Sequence, residues 1–115
     1  MTVRRIVANL ATDDPPALAD FYRRVLGLEP AMDYGFIVTL AGADAPIQLS
    51  LAREGGGGTP VPVLSIEVDD LDATLARATA AGATIEYGPV DEPWGVRRFF
   101  LRDPAGYLIN ILRHG

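Results

Sequence analysis

The chain has 115 residues, 49% of them hydrophobic and 22% charged, with a formal net charge of −5 and no cysteine. That length holds one domain with a real core and not two independent ones. The missing cysteine excludes disulfides, thiolate metal sites and a cysteine nucleophile. The acidic balance excludes nucleic acid as the expected partner, because the only basic clusters are Arg4-Arg5, Arg23-Arg24 and Arg97-Arg98.

No apolar run approaches a membrane span, so no membrane partner is expected. The opening residues MTVRRIVANLATDD lack a signal-peptide core, and the expected location is cytoplasmic.

In chain order, residues 3–11 (VRRIVANLA) read as a strand, with Ile6, Ala8 and Leu10 on one face and Val7, Asn9 and Ala11 on the other. Thr12-Asp13-Asp14 offers an N-cap and Pro15-Pro16 suits a first helical turn. A helix to about Leu26 carries Leu18, Phe21, Tyr22, Val25 and Leu26 at helical spacing, and Gly27 ends it. The Phe21-Tyr22 pair is expected in the core. Three strands follow, over residues 28–33, 35–40 and 45–52, with turn signals between them. Residues 53–60 (REGGGGTP) are Gly-rich. They lack the Lys-Ser/Thr that opens a phosphate-binding helix and read as a linker.

The order then repeats. Residues 61–68 (VPVLSIEV) form a strand, with Leu64, Ile66 and Val68 opposite Val63, Ser65 and Glu67. Asp69-Asp70 caps a helix carrying Leu71, Thr74, Leu75, Ala78 and Ala81, and Gly82 ends it. Strands over 84–90, 96–102 and 107–113 complete the copy, the last two joined by an Asp103-Pro104-Ala105-Gly106 turn. The repeat predicts an α+β fold. Two βαβββ modules, about 3–52 and 61–113, would lie in a single domain over 1–115 as a curved mixed sheet with a cleft. The helices would cover the outer face. The aliphatic faces Ile6-Ala8-Leu10 and Leu64-Ile66-Val68 are expected to pack under those helices.

These residues resemble the vicinal oxygen chelate superfamily, which includes glyoxalase I, extradiol dioxygenases, fosfomycin-resistance enzymes and bleomycin-resistance proteins. The resemblance rests on Asp14-Pro15, Leu18, Phe21-Tyr22 and Leu26-Gly27 in the first module. In the second it rests on Val68-Asp69-Asp70, Ala80-Ala81-Gly82, Trp94-Gly95 and Asp103-Pro104-Ala105-Gly106-Tyr107. Enzymes of that superfamily hold a divalent metal with His, Glu or Gln from the strands. The resemblance puts the four ligand positions at Val7, Gln48, Val63 and Asn110. Valine has no donor atom and the other two offer neutral amides, so neither a metal nor a cofactor is expected. The sole histidine, His114, is expected to fray at the chain's end.

The strand alternation itself gathers Asn9, Gln48, Ser50, Ser65, Glu67 and Asn110 on the expected cleft face, with Trp94, Tyr34, Phe36, Tyr87 and one of Phe99 or Phe100 as walls. Asn110 and Gln48 could equally be internally paired buried amides. Glu67 could be solvated or paired with Arg97, Arg98 or Arg102, and of the adjacent Arg97 and Arg98 only one can face the cleft. The function this supports is binding of a small cationic or aromatic molecule without a metal, as in bleomycin-resistance proteins. Asn9, Gln48, Ser50, Ser65, Glu67, Trp94 and Asn110 are the ligand-binding candidates, and none is assigned as catalytic. The alternative is a lyase or dioxygenase with altered ligands. The resemblance also implies a homodimer, with or without exchange of modules between chains.

Overall fold

The computed structural model describes all residues, Met1 to Gly115. The chain divides into two compact units: Val7–Val61, and Pro62–Gly115 together with Met1–Ile6. Each unit carries one βαβββ set of an α+β fold.

The first unit takes β1 (Val3–Ala11) from Val7 onward, then α1 (Pro15–Leu26), β2 (Glu29–Asp33), β3 (Ile37–Ala41) and β4 (Gln48–Ala52). The strands lie in the order β2-β3-β4-β1. β1 runs parallel to β4, and the other pairs are antiparallel. Helix α1 starts where Asp14 accepts a hydrogen bond from the Ala17 N–H at 3.1 Å, a cap of about 1 kcal/mol. It stops at Gly27, whose φ of +70° suits glycine and whose N–H bonds the Arg23 carbonyl at 2.9 Å. Ala19, Val38, Leu40 and Leu51 form the core, with Leu18, Tyr22, Leu28 and Leu49 packed around them.

Two expectations fail in this unit. Tyr22 joins the core, but Phe21 is exposed, because the helix buries the stripe Pro15, Ala19 and Tyr22, which Phe21 flanks. On β1 the burial is the reverse of that expected: Val7 and Asn9 are buried, while Ile6, Ala8 and Leu10 are exposed. Ala8 and Leu10 do lie on the α1 side, beside Leu49 and Leu51. Helix α1, however, sits over β3 and β4 and leaves β1 uncovered.

The second unit holds β5 (Leu64–Val68), α2 (Leu71–Ala80), β6 (Thr84–Asp91), β7 (Val96–Arg102) and β8 (Leu108–His114). Its strand order is β5-β8-β7-β6, with β5 and β8 parallel. Asp70 caps α2 through the Ala73 N–H at 3.0 Å. Val68, Leu71, Phe99, Ile109 and Ile111 are the core, so the aliphatic face of β5 packs as expected. The Asp103–Tyr107 turn closes the β7–β8 hairpin: Asp103 Oδ1 accepts from the N–H of Ala105 and of Tyr107. Pro46 and Pro62 have no N–H to give a ladder, and β4 and β5 begin only after them. The Gly-rich stretch closes on itself, with Gly55 N–H on the Thr59 carbonyl and Gly58 N–H on Glu54 Oε1, each at 2.8 Å.

The chain's first residues are tied to the end of β5. The Thr2 N–H donates to Asp69 Oδ1 at 2.7 Å, and the Asp69 N–H donates back to the Thr2 carbonyl at 3.1 Å. The Thr2 N–H is the main cause that holds the Asp69 carboxyl below its ordinary value of 3.8. A depressed carboxyl contributes its stability above the ordinary value and loses it as pH falls through the lowered one. Asp69→Asn should therefore lower the urea midpoint at pH 7, and the gap between variant and parent should narrow as pH falls through the lowered value. A gap that stays unchanged as the pH falls would mean that the ion takes no part.

Candidate functional site

In the second unit, strand alternation sends Leu64, Ile66, Ile109, Ile111 and Phe99 toward α2. It leaves Ser65, Glu67, Asn110, Leu112, Arg98 and Phe100 on the opposite face. Ser65, Asn110 and Phe100 form one row across β5, β8 and β7. Asn110 Nδ2 donates to Ser65 Oγ at 3.1 Å. Asn110 is only 7% exposed, and its Oδ1 is buried without a hydrogen-bond partner. An acceptor left in that state costs about 1–3 kcal/mol, so its retention asks for an explanation.

The next row holds Glu67, Leu112 and Arg98. Arg98, not Arg97, turns to this face and is buried. Its Nε and Nη2 both lie 2.6 Å from Glu92 Oε2, which also accepts from the Tyr87 hydroxyl at 3.0 Å. The guanidinium carbon sits 5.5, 5.0 and 4.7 Å from the ring centroids of Tyr87, Trp94 and Phe100. Three of the expected ligand walls thus already enclose a cation of the chain itself. Arg97 lies on the other side and pairs with Asp91 at 3.3 Å.

Glu67 is neither solvated nor paired with Arg97, Arg98 or Arg102. Its Oε1 lies 3.1 Å from Arg5 Nε and its Oε2 lies 3.0 Å from His114 Nδ1. His114 does not fray: it is the last residue of β8, opposite Val96, and the following Gly115 N–H bonds the Gly95 carbonyl. Arg5, Glu92 and His114 were missed as neighbours. The Glu92–Arg98 pair had a signal, six residues apart across a hairpin, but its burial did not.

In the first unit, the face away from α1 carries a matching row, Asn9, Ser50 and Thr39 across β1, β4 and β3, all buried. Ser50 Oγ and Thr39 Oγ1 are 2.8 Å apart. Gln48 lies on this face two residues before Ser50 and is half-buried. Tyr34 is exposed. Counting back five residues from each helix cap pairs Asn9 with Ser65, and the strand registers then pair Ser50 with Asn110. Ser50, rather than Gln48, is the repeat mate of Asn110.

The profile of the Glyoxalase/Bleomycin resistance protein/Dioxygenase superfamily matches residues 4–111. The chain belongs to this superfamily. Among its curated relatives is the anthracycline biosynthesis protein DauV of Streptomyces sp. (strain C5), 38% identical over 116 residues, covering 91% of this chain and 40% of DauV. CFP32 of Mycobacterium tuberculosis (strain CDC 1551 / Oshkosh), provisionally named a glyoxylase, is 31% identical over 113 residues, covering 91% of this chain and 42% of CFP32. The chain thus spans about two fifths of the length of these relatives. Among solved structures, Streptomyces coelicolor methylmalonyl-CoA epimerase has the same fold, with a TM-score of 0.71 at 22% identity over 99% of both chains.

The superfamily's enzymes use a divalent metal, and the residues here do not fit one. The position in β1 is Val7, buried hydrocarbon, and the position before β5 is Val63. Ser50 and Asn110 are neutral, and no three His, Cys, Asp or Glu side chains gather anywhere in the chain. A catalytic divalent ion asks for about three imidazole or carboxylate ligands. What the face offers instead is an amide oxygen without a partner, a hydroxyl, aromatic edges and an internally neutralised arginine.

Proposed function

We propose that this chain binds a flat, hydroxyl-bearing aromatic molecule on the Asn110 face without a metal. The observation that carries the reading is the buried, unpartnered Oδ1 of Asn110. A ligand O–H or N–H would supply the missing bond, and the penalty borne by the free protein would become affinity. The identity shared with DauV, and with a second anthracycline biosynthesis protein, DnrV of Streptomyces peucetius, at 36%, supports a polycyclic aromatic ligand. Arg98 argues against a cation placed deep in the site, since the aromatic cluster already holds one. An anthracycline and its sugar-free aglycone should therefore bind comparably.

Titration of both compounds, read by calorimetry and by quenching of Trp94, the sole tryptophan, tests this. The expected dissociation constants are micromolar. Asn110→Leu should weaken binding about tenfold or more, equivalent to about 1.4 kcal/mol, while leaving the melting temperature equal or higher because the orphaned acceptor is gone. No saturation by 1 mM would sink the proposal.

One observation favours a second reading. Glu67 holds Nδ1 of His114 and leaves Nε2 turned away, an arrangement that suits a general base. A lyase acting by proton transfer would then show activity that His114→Asn abolishes, with binding intact.

A further inference from the structure

Asn110 stands among neutral neighbours. Ser65 on β5 and Phe100 on β7 flank it in its row, and Leu108 and Leu112, both buried, lie on the same side of β8. The charged groups of the face are engaged elsewhere, Glu67 with Arg5 and His114, and Arg98 with Glu92. No formal charge adjoins the amide to favour an ionised ligand group, so the group it takes is neutral. The amide is tied to Ser65 Oγ by a bond from Nδ2 at 3.1 Å. Both partners of that bond are two-sided: an amide carries an acceptor and a donor on one flat group, and a serine hydroxyl gives a hydrogen bond as well as accepting one. A half-turn of the amide about its last bond exchanges Oδ1 and Nδ2 without changing its shape. In one setting Nδ2 donates to Ser65 and Oδ1 is left for the ligand. In the other the Ser65 hydroxyl donates to Oδ1 and Nδ2 is left for the ligand. The bond to serine is kept in each.

Resting on the reading of this face as an aromatic-binding surface, we infer that it takes both members of a hydroquinone–quinone couple with comparable affinity. The two are flat rings of nearly the same outline, one presenting O–H groups and the other C=O groups. Apolar contact with Phe100, Leu108 and Leu112 does not tell them apart, so discrimination is left to the sense of the hydrogen bond. A carboxylate at this position would only accept, and an ammonium, guanidinium or backbone N–H would only donate. Each would select one member, because the other would leave a buried polar group unpaired. Asn110 on Ser65 meets the hydroquinone through Oδ1 and the quinone through Nδ2, with the same number of bonds in both complexes. The chain would thus keep its ligand on either side of a two-electron oxidation carried out by a separate oxidoreductase. Comparable affinity also leaves the couple's own potential in place, since a threefold preference moves it by only about 14 mV at about 30 mV per tenfold.

Calorimetry under nitrogen at pH 7, with menadione and with its hydroquinone as probes, tests the inference; the chain has no cysteine to add to the quinone. The two dissociation constants are expected within about threefold of one another. Asn110→Leu should weaken both forms by about tenfold or more. Asn110→Asp, which only accepts when ionised, should keep the hydroquinone and weaken the quinone by about tenfold or more, with thermal melts showing that the variant is folded. A parent that prefers either form by about tenfold or more would overturn the inference and leave aromatic binding on this face standing, as would a loss in Asn110→Leu confined to one form. Affinities that Asn110→Leu leaves unchanged, or no saturation by either form up to 1 mM, would overturn it together with the reading it rests on.

Discussion

Glu92→Ala is expected to cost about 3–5 kcal/mol of folding stability, among the largest losses available to a single polar substitution here. The side chains of Arg98 and Glu92 are 4% and 7% exposed. Both guanidinium contacts converge on Glu92 Oε2, and the Tyr87 hydroxyl uses the same oxygen. Removing the carboxylate leaves a charge in a nearly dry site. The rings of Tyr87, Trp94 and Phe100 offset only part of that, because cation–π contacts of this kind are worth about 1–2 kcal/mol. The pair itself is not thereby strongly stabilising. Desolvation of two ions offsets most of their attraction, so Glu92→Leu with Arg98→Met should lie within about 1–2 kcal/mol of the parent. Urea melts at one fixed protein concentration, so that association does not move the midpoint, distinguish these outcomes. A double variant as unstable as Glu92→Ala would show that the ion pair contributes far more than its desolvation costs.

Gly88→Ala should cost about 3 kcal/mol or more, measured in the same melts. Gly88 sits at the irregularity of β6 between the pairs Tyr87–Phe100 and Val90–Arg98, with φ at +76°. A Cβ there would stand 2.5 Å from the Arg98 carbonyl oxygen and 3.2 Å from Phe99 Cα. Both are backbone atoms of the adjacent strand, so relief requires opening the β6–β7 ladder beside the buried ion pair. Gly27 is the control. Its φ is +70° but a Cβ would meet nothing within 4 Å, so Gly27→Ala should cost only the left-handed backbone penalty of about 1 kcal/mol. Equal losses at the two positions would mean that the close approach at Gly88 is relieved without expense.

The repeat was readable because each module announces itself locally. Asp14 and Asp70 cap helices, glycine follows each helix, and Asp103-Pro104-Ala105-Gly106 makes the turn its residue types require. Face assignment was readable wherever a helix covers the strand, as on β5. It failed on β1, where Ile6, Ala8 and Leu10 have the right pattern for a buried face and no helix above it. Alternation says which residues share a side; it does not say which side is covered. The candidate site divides in the same way. The Ser65–Asn110 contact follows from strand order and register, and both residues were named from the sequence. Arg5 and His114 reach Glu67 from 62 and 47 residues away in the sequence, and no local pattern encodes that. The enclosure of Arg98 by Tyr87, Trp94 and Phe100 gathers side chains from two strands and the turn between them, and no alternation pattern within one strand encodes that.

Binding on the Asn110 face without a metal is tested most directly by one calorimetric comparison. Purified protein is split, one half is treated with excess chelator and dialysed, and both halves are titrated with an anthracycline aglycone alongside Asn110→Leu. Equal micromolar affinities in the two halves, with a loss of about tenfold or more in the variant, is the expected result. Binding that disappears with chelation and returns with zinc, nickel, iron or manganese would contradict it, as would affinity untouched by Asn110→Leu.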